Sequence, residues 1–215
     1  MWGPAARDVV APLCPDDLSD RAFRYFRAMR THLEAIPVTM MRVSYVGELG
    51  WEIYTSADQC GHVFEILLET AQNLEAKFCG MHVVDSCRIE KAYRHFGHDI
   101  TCEDHILEAG LGFAVNMEKD DFIGKEAVIR KKENGLEKRL LQFRLTDPDP
   151  LVYHNEPILR DGEVVGYLSS GAYGHHLKAA IGLGYVPCKG EKVEQLLRST
   201  YEIDVAGTGV VLHCD

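Results

Sequence analysis

The sequence predicts an α+β protein, with a mixed α+β region over residues 1–135 followed by a small antiparallel barrel or sandwich over 136–215. Three observations predict this. Apolar residues recur every three or four positions between Gln59 and Glu75. Short segments between Pro37 and Ser56 alternate apolar and polar side chains. Beyond Gly135 nearly every segment is strand-like and is separated from the next by Pro, Gly and Asp clusters.

The elements follow in order. Turn formers and then apolar residues at helical spacing in PDDLSDRAFRYFRAMR, residues 15–30, predict a loop running into a short amphipathic helix, closed by Pro37. PVTMMRVSYV and WEIYTS read as two strands of a β-hairpin turning across Gly47 to Gly50. With Ser56 or Asp58 as N-cap, the set Val63, Ile66, Leu67, Thr70, Ala71 and Leu74 predicts a helix over 59–75. A second helix is expected from Asp85 or Ser86 through CRIEKAYRHF to Gly97. LGFAV suggests a short strand, and KEAVIRKKEN a charged helix stopped by Gly135, the expected domain boundary. RLLQFRL, EPILR, EVVGYLS, AAIGLGYVP and YEIDVAG are the strands of the C-terminal part, with Asp161-Gly162 a tight hairpin signal.

Composition narrows the function classes. The chain has 215 residues, 46% of them hydrophobic and 26% charged, which is ordinary for a globular protein and unlike disordered or collagenous sequence. No apolar run approaches the roughly 20 residues of a membrane helix. A formal charge of −10 without an evident basic stripe disfavours nucleic acid as a partner. The seven cysteines include no CxxC pair, suggesting free thiols in a reducing compartment. No signal-peptide pattern follows Met1.

His95, His98, Cys102 and His105 have the residue types of a zinc site, but the expected helix end at Gly97 puts His95 and His98 on different elements, so polar capping is preferred and no metal is assigned. Cys87 reads as a small buried hydrophobe, and His175-His176 as part of a Gly-rich turn with no catalytic role. Neither GxGxxG nor a P-loop is present. VSYVGELGWEIY is more informative, because the hairpin reading brings Tyr45 and Glu52 to the same end of adjacent strands. A carboxylate there offers two acceptors to a flat heterocycle with an amino group beside a ring N–H, such as a pterin. The alternative is a solvated surface hairpin with a core tryptophan.

Several collinear stretches together resemble one family: GPAARDVV (3–10), LSDRAF (18–23), VSYVGELGWEIY (43–54), DSCRIEKAYRHFGHDI (85–100), LEAGLGFAV (107–115), DFIGKEA (121–127) and LGYVP (183–187). The family is the folate-binding aminomethyltransferase domain of the glycine-cleavage T-protein and of the C-terminal half of dimethylglycine and sarcosine dehydrogenases. RIEKAYRHFGHDI and YEIDVAG are more similar to the dehydrogenase branch. The resemblance implies a layered α/β folate-binding domain, present in part, followed by a small antiparallel β-barrel. It implies tetrahydrofolate as the small-molecule partner, contacted by Tyr45 and Glu52 with Ile53 and Tyr54 adjacent. The implied chemistry is capture of a formaldehyde-level carbon from a methylated amine to give methylenetetrahydrofolate. FAD belongs to a full-length relative and not to this chain, and an FAD-containing dehydrogenase domain or chain is an implied partner. Neither membrane nor nucleic acid is implied as a partner.

In the family, the segment bearing the catalytic aspartate precedes the stretch that begins here at Gly3. The resemblance therefore assigns no catalytic residue and implies an N-terminally truncated module with little turnover by itself. A second reading stands beside it, a non-catalytic paralogue like the regulatory subunit of pyruvate dehydrogenase phosphatase, against which the presence of Glu52 speaks. The implied location is the cytoplasm in a bacterium and the mitochondrial matrix in a eukaryote.

Overall fold

The computed structural model describes residues 1–205 and the backbone of Val210–Cys214; the Ala206-Gly207 end of the predicted YEIDVAG strand and Asp215 lie outside the described residues. Chain contacts divide the protein into two compact units, Met1–Val84 and Asp85–Asp215. Helices and antiparallel sheets are mixed, as the α+β reading expects, with a smaller sheet in the first unit and a larger one in the second. No helix among the described residues is long and apolar enough to cross a membrane.

The first unit begins with a short helix α1 (Ala6–Val10). An antiparallel sheet follows, built from β1 (Ala28–Leu33), β2 (Ile36–Met41) and β3 (Glu52–Tyr54) in that order. Helix α2 (Cys60–Ala71) comes next and ends in a 3₁₀ turn through Leu74 and a left-handed Glu75, close to the predicted span. Its Val63 and Ile66 join Val10, Phe23, Leu33, Val38, Met40 and Trp51 in one apolar cluster.

The helix expected up to Arg30 is corrected. Residues 28–33 form β1, in which Thr31 and Leu33 are buried while Ala28, Arg30 and His32 are exposed. The apolar spacing of Phe23, Tyr25, Phe26 and Met29 is helical only in isolation. Pairing of Ala28 through Leu33 with β2 across a two-residue turn overrides that local preference. The hairpin expected across Gly47 to Gly50 forms, with β2 pairing antiparallel to β3; its strands end sooner than expected, and residues 42–51 connect them.

Helix α3 (Met81–Glu90), whose residues from Asp85 on belong to the second unit, starts earlier and stops earlier than predicted; Ala92, at φ 52°, breaks the helical path ahead of Gly97. Its Ile89 packs on Leu140, Ile181 and Leu183. LGFAV is a 3₁₀ turn at Gly112–Ala114 instead of a strand. Helix α4 (Lys125–Asn134) ends at Gly135 as predicted. The sheet contains β4 (Lys138–Arg144), β5 (Pro157–Arg160), β6 (Glu163–Gly174), β7 (Ala179–Pro187), β8 (Tyr201–Val205) and β9 (Val210–Cys214), ordered β4-β7-β6-β5-β8-β9. A short helix α5 (Val193–Leu196) precedes β8. Positive φ at both Asp161 (55°) and Gly162 (85°) is the two-residue turn that the sequence signals.

Buried Glu108 ties the loop before α4 to its surroundings. It accepts from Lys131 Nζ at 2.8 Å and from the Glu137 N–H at 2.9 Å. Burial works against its charge, yet these bonds and that from the Lys138 N–H hold its carboxyl below the ordinary value.

Close backbone approach explains one glycine of the sheet. A Cβ on Gly171 would lie 2.6 Å from the Val152 carbonyl carbon and oxygen, which are backbone atoms without freedom to retreat. Gly171→Ala is expected to lower stability by about 1–3 kcal/mol in urea unfolding. An unchanged midpoint would mean that the strand and the 147–153 loop shift without cost.

Candidate functional site

The Tyr45–Tyr54 segment is positioned by its glycines and by the start of the chain. Gly47 has φ 76°, which turns the backbone through the left-handed region. Gly50 pairs with Trp2, and a Cβ there would lie 2.7 Å from the Trp2 ring and 2.8 Å from its Cα. Trp2 also donates its indole N–H to the Val43 carbonyl at 2.9 Å. Ser44 Oγ accepts from the N–H groups of Val46 (3.3 Å) and Glu48 (3.1 Å), shaping the loop that carries half-buried Tyr45.

Trp51 is fully buried beside Phe23, with ring centroids 6.3 Å apart. It anchors the entry to β3, and the pleat then sorts the next three residues. Ile53 packs against the apolar cluster, whereas Glu52 and Tyr54 stand on the opposite face. The Tyr54 hydroxyl donates to Glu52 Oε2. Of the residues that the sequence singled out, the structure therefore joins Glu52 to Tyr54, turns Ile53 to the core and puts Tyr45 on the connecting loop.

This geometry leaves a carboxylate with acceptor capacity on a half-exposed sheet face, beside an aromatic ring that is 50% exposed. The hydrogen bond to Glu52, and then its negative charge, raise the Tyr54 phenol above its ordinary value. The folded protein thus holds this proton more tightly than the unfolded chain. The resulting stabilisation is present below the ordinary tyrosine range and disappears as pH rises through the elevated folded value.

An exposed aromatic pair that the sequence reading did not single out lies in the same unit. Tyr25 and Phe26 have ring centroids 4.4 Å apart, and Phe26 is 71% exposed with φ 59°. A bulky side chain at positive φ is a strained arrangement, kept here by Phe26 N–H donating to the Arg42 carbonyl at 3.0 Å. Its neighbour Tyr25 reaches the Ser44 carbonyl at 3.5 Å, next to Tyr45.

The second unit contains a buried polar centre that was also missed. Arg88 donates to Asp99 at 2.6 Å and to Ser170 Oγ at 2.8 Å, and Asp99 also accepts from the His95 N–H at 2.9 Å. A bulge at Ser169 in β6 makes this possible, because it brings Ser169 Oγ to Asp99 while Ser170 meets Arg88. Nearby, His98, His154, Asn155, Tyr167 and Ser169 line a cleft of about 470 Å³. The His95 and His98 rings lie 4.6 Å apart, and His105 Nδ1 accepts from the Leu107 N–H at 3.1 Å. Among the described residues no group of three or more His, Cys, Asp or Glu is placed to hold a metal ion.

Comparison with known proteins gives this arrangement a context. The model of the GCVT N-terminal domain matches residues 1–119, and that of the glycine cleavage T-protein C-terminal barrel domain matches residues 138–213. The chain is 40% identical over 184 residues to 4-methylaminobutanoate oxidase (formaldehyde-forming) of Paenarthrobacter nicotinovorans, covering 85% of this chain and 22% of that protein. It is 35% identical over 216 residues to mitochondrial dimethylglycine dehydrogenase of Mus musculus, covering 98% and 25%. It is 34% identical over 186 residues to an aminomethyltransferase of Halothermothrix orenii, covering 86% and 51%. The chain thus spans no more than a quarter of the two oxidoreductases and about half of the aminomethyltransferase. The crystal structure of glycine cleavage system aminomethyltransferase T from Bartonella henselae superposes with a TM-score of 0.80 at 20% identity, covering 99% of this chain and 55% of that one, which shows a shared fold.

Two measurements probe this geometry. In an ultraviolet titration Tyr54 is expected to ionise late, together with Tyr185 and Tyr201, whose phenols burial raises; Tyr54→Phe should remove one late-ionising phenol and Glu52→Gln should move that one to lower pH. Superimposable curves for all three proteins would exclude the pair. Asp99→Asn strands the Arg88 charge in the interior and is expected to cost about 3–5 kcal/mol in chemical denaturation. A loss under about 1 kcal/mol would show that the pair is dispensable.

Proposed function

This chain belongs to the glycine cleavage T-protein family, and on that premise we propose that it is the tetrahydrofolate-binding aminomethyltransferase module of a dimethylglycine or sarcosine dehydrogenase-like protein. The proposed reaction passes a one-carbon unit from a methylated amine to tetrahydrofolate. Its proposed parts are the folate-domain segment 1–135 and the barrel segment 136–215.

The observation that carries this reading is the outward Glu52 carboxylate, steadied by the Tyr54 hydroxyl on one face of β3. An ionised carboxylate accepts hydrogen bonds and donates none, so it suits the paired N–H donors of an amino-pyrimidine edge. Tyr54 fills part of one oxygen's accepting capacity and limits the rotamers of Glu52. Tyr45 and the exposed Tyr25–Phe26 pair supply aromatic surface for a flat ring system. Ile53 acts from the core side, fixing the strand that carries both polar neighbours.

When bound, tetrahydrofolate supplies the nitrogen nucleophile for the one-carbon unit. The protein's contribution is orientation and exclusion of water from a carbon electrophile that would otherwise hydrolyse. The donor amine and an FAD-containing partner domain or chain enter as part of the proposal.

Isothermal titration with folinate, a stable reduced folate, tests the recognition step. The parent protein is expected to bind, and Glu52→Gln to bind about ten-fold more weakly or worse, because Gln replaces one acceptor oxygen with a donor and removes the charge. Equal binding by both proteins, or binding by neither, would overturn the role of Glu52. The purified 215-residue polypeptide is expected to form little methylenetetrahydrofolate from formaldehyde and tetrahydrofolate beyond the uncatalysed rate. A clear catalysed rate would show that this length of chain suffices for the chemistry.

A further inference from the structure

We propose that Arg30 anchors the carboxylate tail of the folate, so that the outer face of the β1–β2–β3 sheet reads the ligand along its length. The inference rests on the folate reading above and deepens it. It follows from strand register. Arg30 is paired with Thr39, and Thr39 with Tyr54, so these three share one row; the adjacent row is Ala28, Met41 and Glu52. Residues directly opposite each other in an antiparallel sheet project to the same face. The outward side of this face is fixed by exposure of Ala28, Arg30 and His32 on β1 and of Tyr54 on β3, with Met29, Thr31 and Leu33 turned the other way.

Across this face the chemistry changes in a definite order. Glu52 and Tyr54 form a polar edge on β3. Met41, 37% exposed, and the methyl group of Ala28 offer a short apolar stretch over β2 and β1. Arg30 is an exposed cation on β1 and takes part in no ion pair among the described residues, and two carboxylates of the same unit are engaged with other groups: Asp20 by Arg7 and Arg42, and Asp16 by Thr31. Two strand spacings and a two-residue step separate the Glu52 and Arg30 backbones by about 12 Å. A folate presents the same sequence of groups: an amino-pyrimidine with paired donors, a benzoyl ring and then glutamate carboxylates. A guanidinium fork matches the carboxylate at the far end.

The test compares two probes on four proteins. Folinate carries the benzoyl-glutamate tail, and methyltetrahydropterin, handled without air, lacks it. Parent, Arg30→Gln, Glu52→Gln and the charge control Arg21→Gln are titrated with both. Arg30→Gln is expected to weaken folinate roughly three- to ten-fold, as befits an exposed charge-assisted contact, and to leave methyltetrahydropterin unchanged. Glu52→Gln should weaken both probes, and Arg21→Gln neither. High salt should erase the difference between parent and Arg30→Gln.

Unchanged folinate binding by Arg30→Gln, an equal loss on both probes, or the same loss from Arg21→Gln would each overturn the tail site. A persisting Glu52→Gln effect in those cases would leave the pterin reading intact. Failure of the parent to bind either probe would remove both.

Discussion

The pairing of Met41 with Glu52 is the constraint on which the N-terminal unit's chemistry depends. Side chains alternate along a strand, so this register puts Ile53 into the core and directs Glu52 and Tyr54 outward together. A slip of one residue would bury a carboxylate and a phenol while exposing an isoleucine, at the cost of an unpaired charge in an apolar cluster. The fully buried Trp51, immediately before β3, guards against that slip, because a shift would carry its large apolar side chain out of the core. Gly50 and Trp2 reinforce it from the other side, since their pairing fixes where the strand begins.

The C-terminal unit solves a different problem. It must hold a buried cation, Arg88, beside a buried anion, Asp99. The bulge in β6 turns two consecutive serines toward Arg88 and Asp99, where a regular strand would turn only one. Elsewhere in the unit, ion pairs join segments distant in sequence. Arg160 meets Glu191 through a two-pronged contact at 2.7 and 2.8 Å, fastening β5 to the turn before α5. These contacts have directional geometry, which apolar packing lacks, and they add specificity to a sheet rich in small residues.

Much of the fold could be read from the sequence because its signals were local. Helix α4 and its stop at Gly135, the Asp161-Gly162 turn and the strands of the second unit follow from spacing and turn chemistry within a few residues. The failures were non-local. Residues 28–33 have helix-compatible apolar spacing, and only the partner strand β2 makes them extended. LGFAV is apolar enough for a strand but finds no strand to pair with, and forms a 3₁₀ turn. The candidate site shows the same division. Tyr45 and Glu52 stood out through the glycine and tryptophan pattern around them, whereas Arg30 and the Tyr25–Phe26 pair gain meaning only from register and exposure. The Arg88–Asp99 pair lay inside a recognised stretch, but nothing in the linear spacing says that both side chains are buried.

Trp51 has one more property that follows from its position. The chain contains two tryptophans, and Trp51 is sealed in the core while its backbone continues directly into Glu52. Trp2, 36% exposed, is bonded to the loop on the other side of the same motif. Both tryptophans are therefore tied to the segment that carries Tyr45 and Glu52. A tryptophan sealed in the core one residue from Glu52 places an intrinsic fluorophore at the start of β3 without any attached dye.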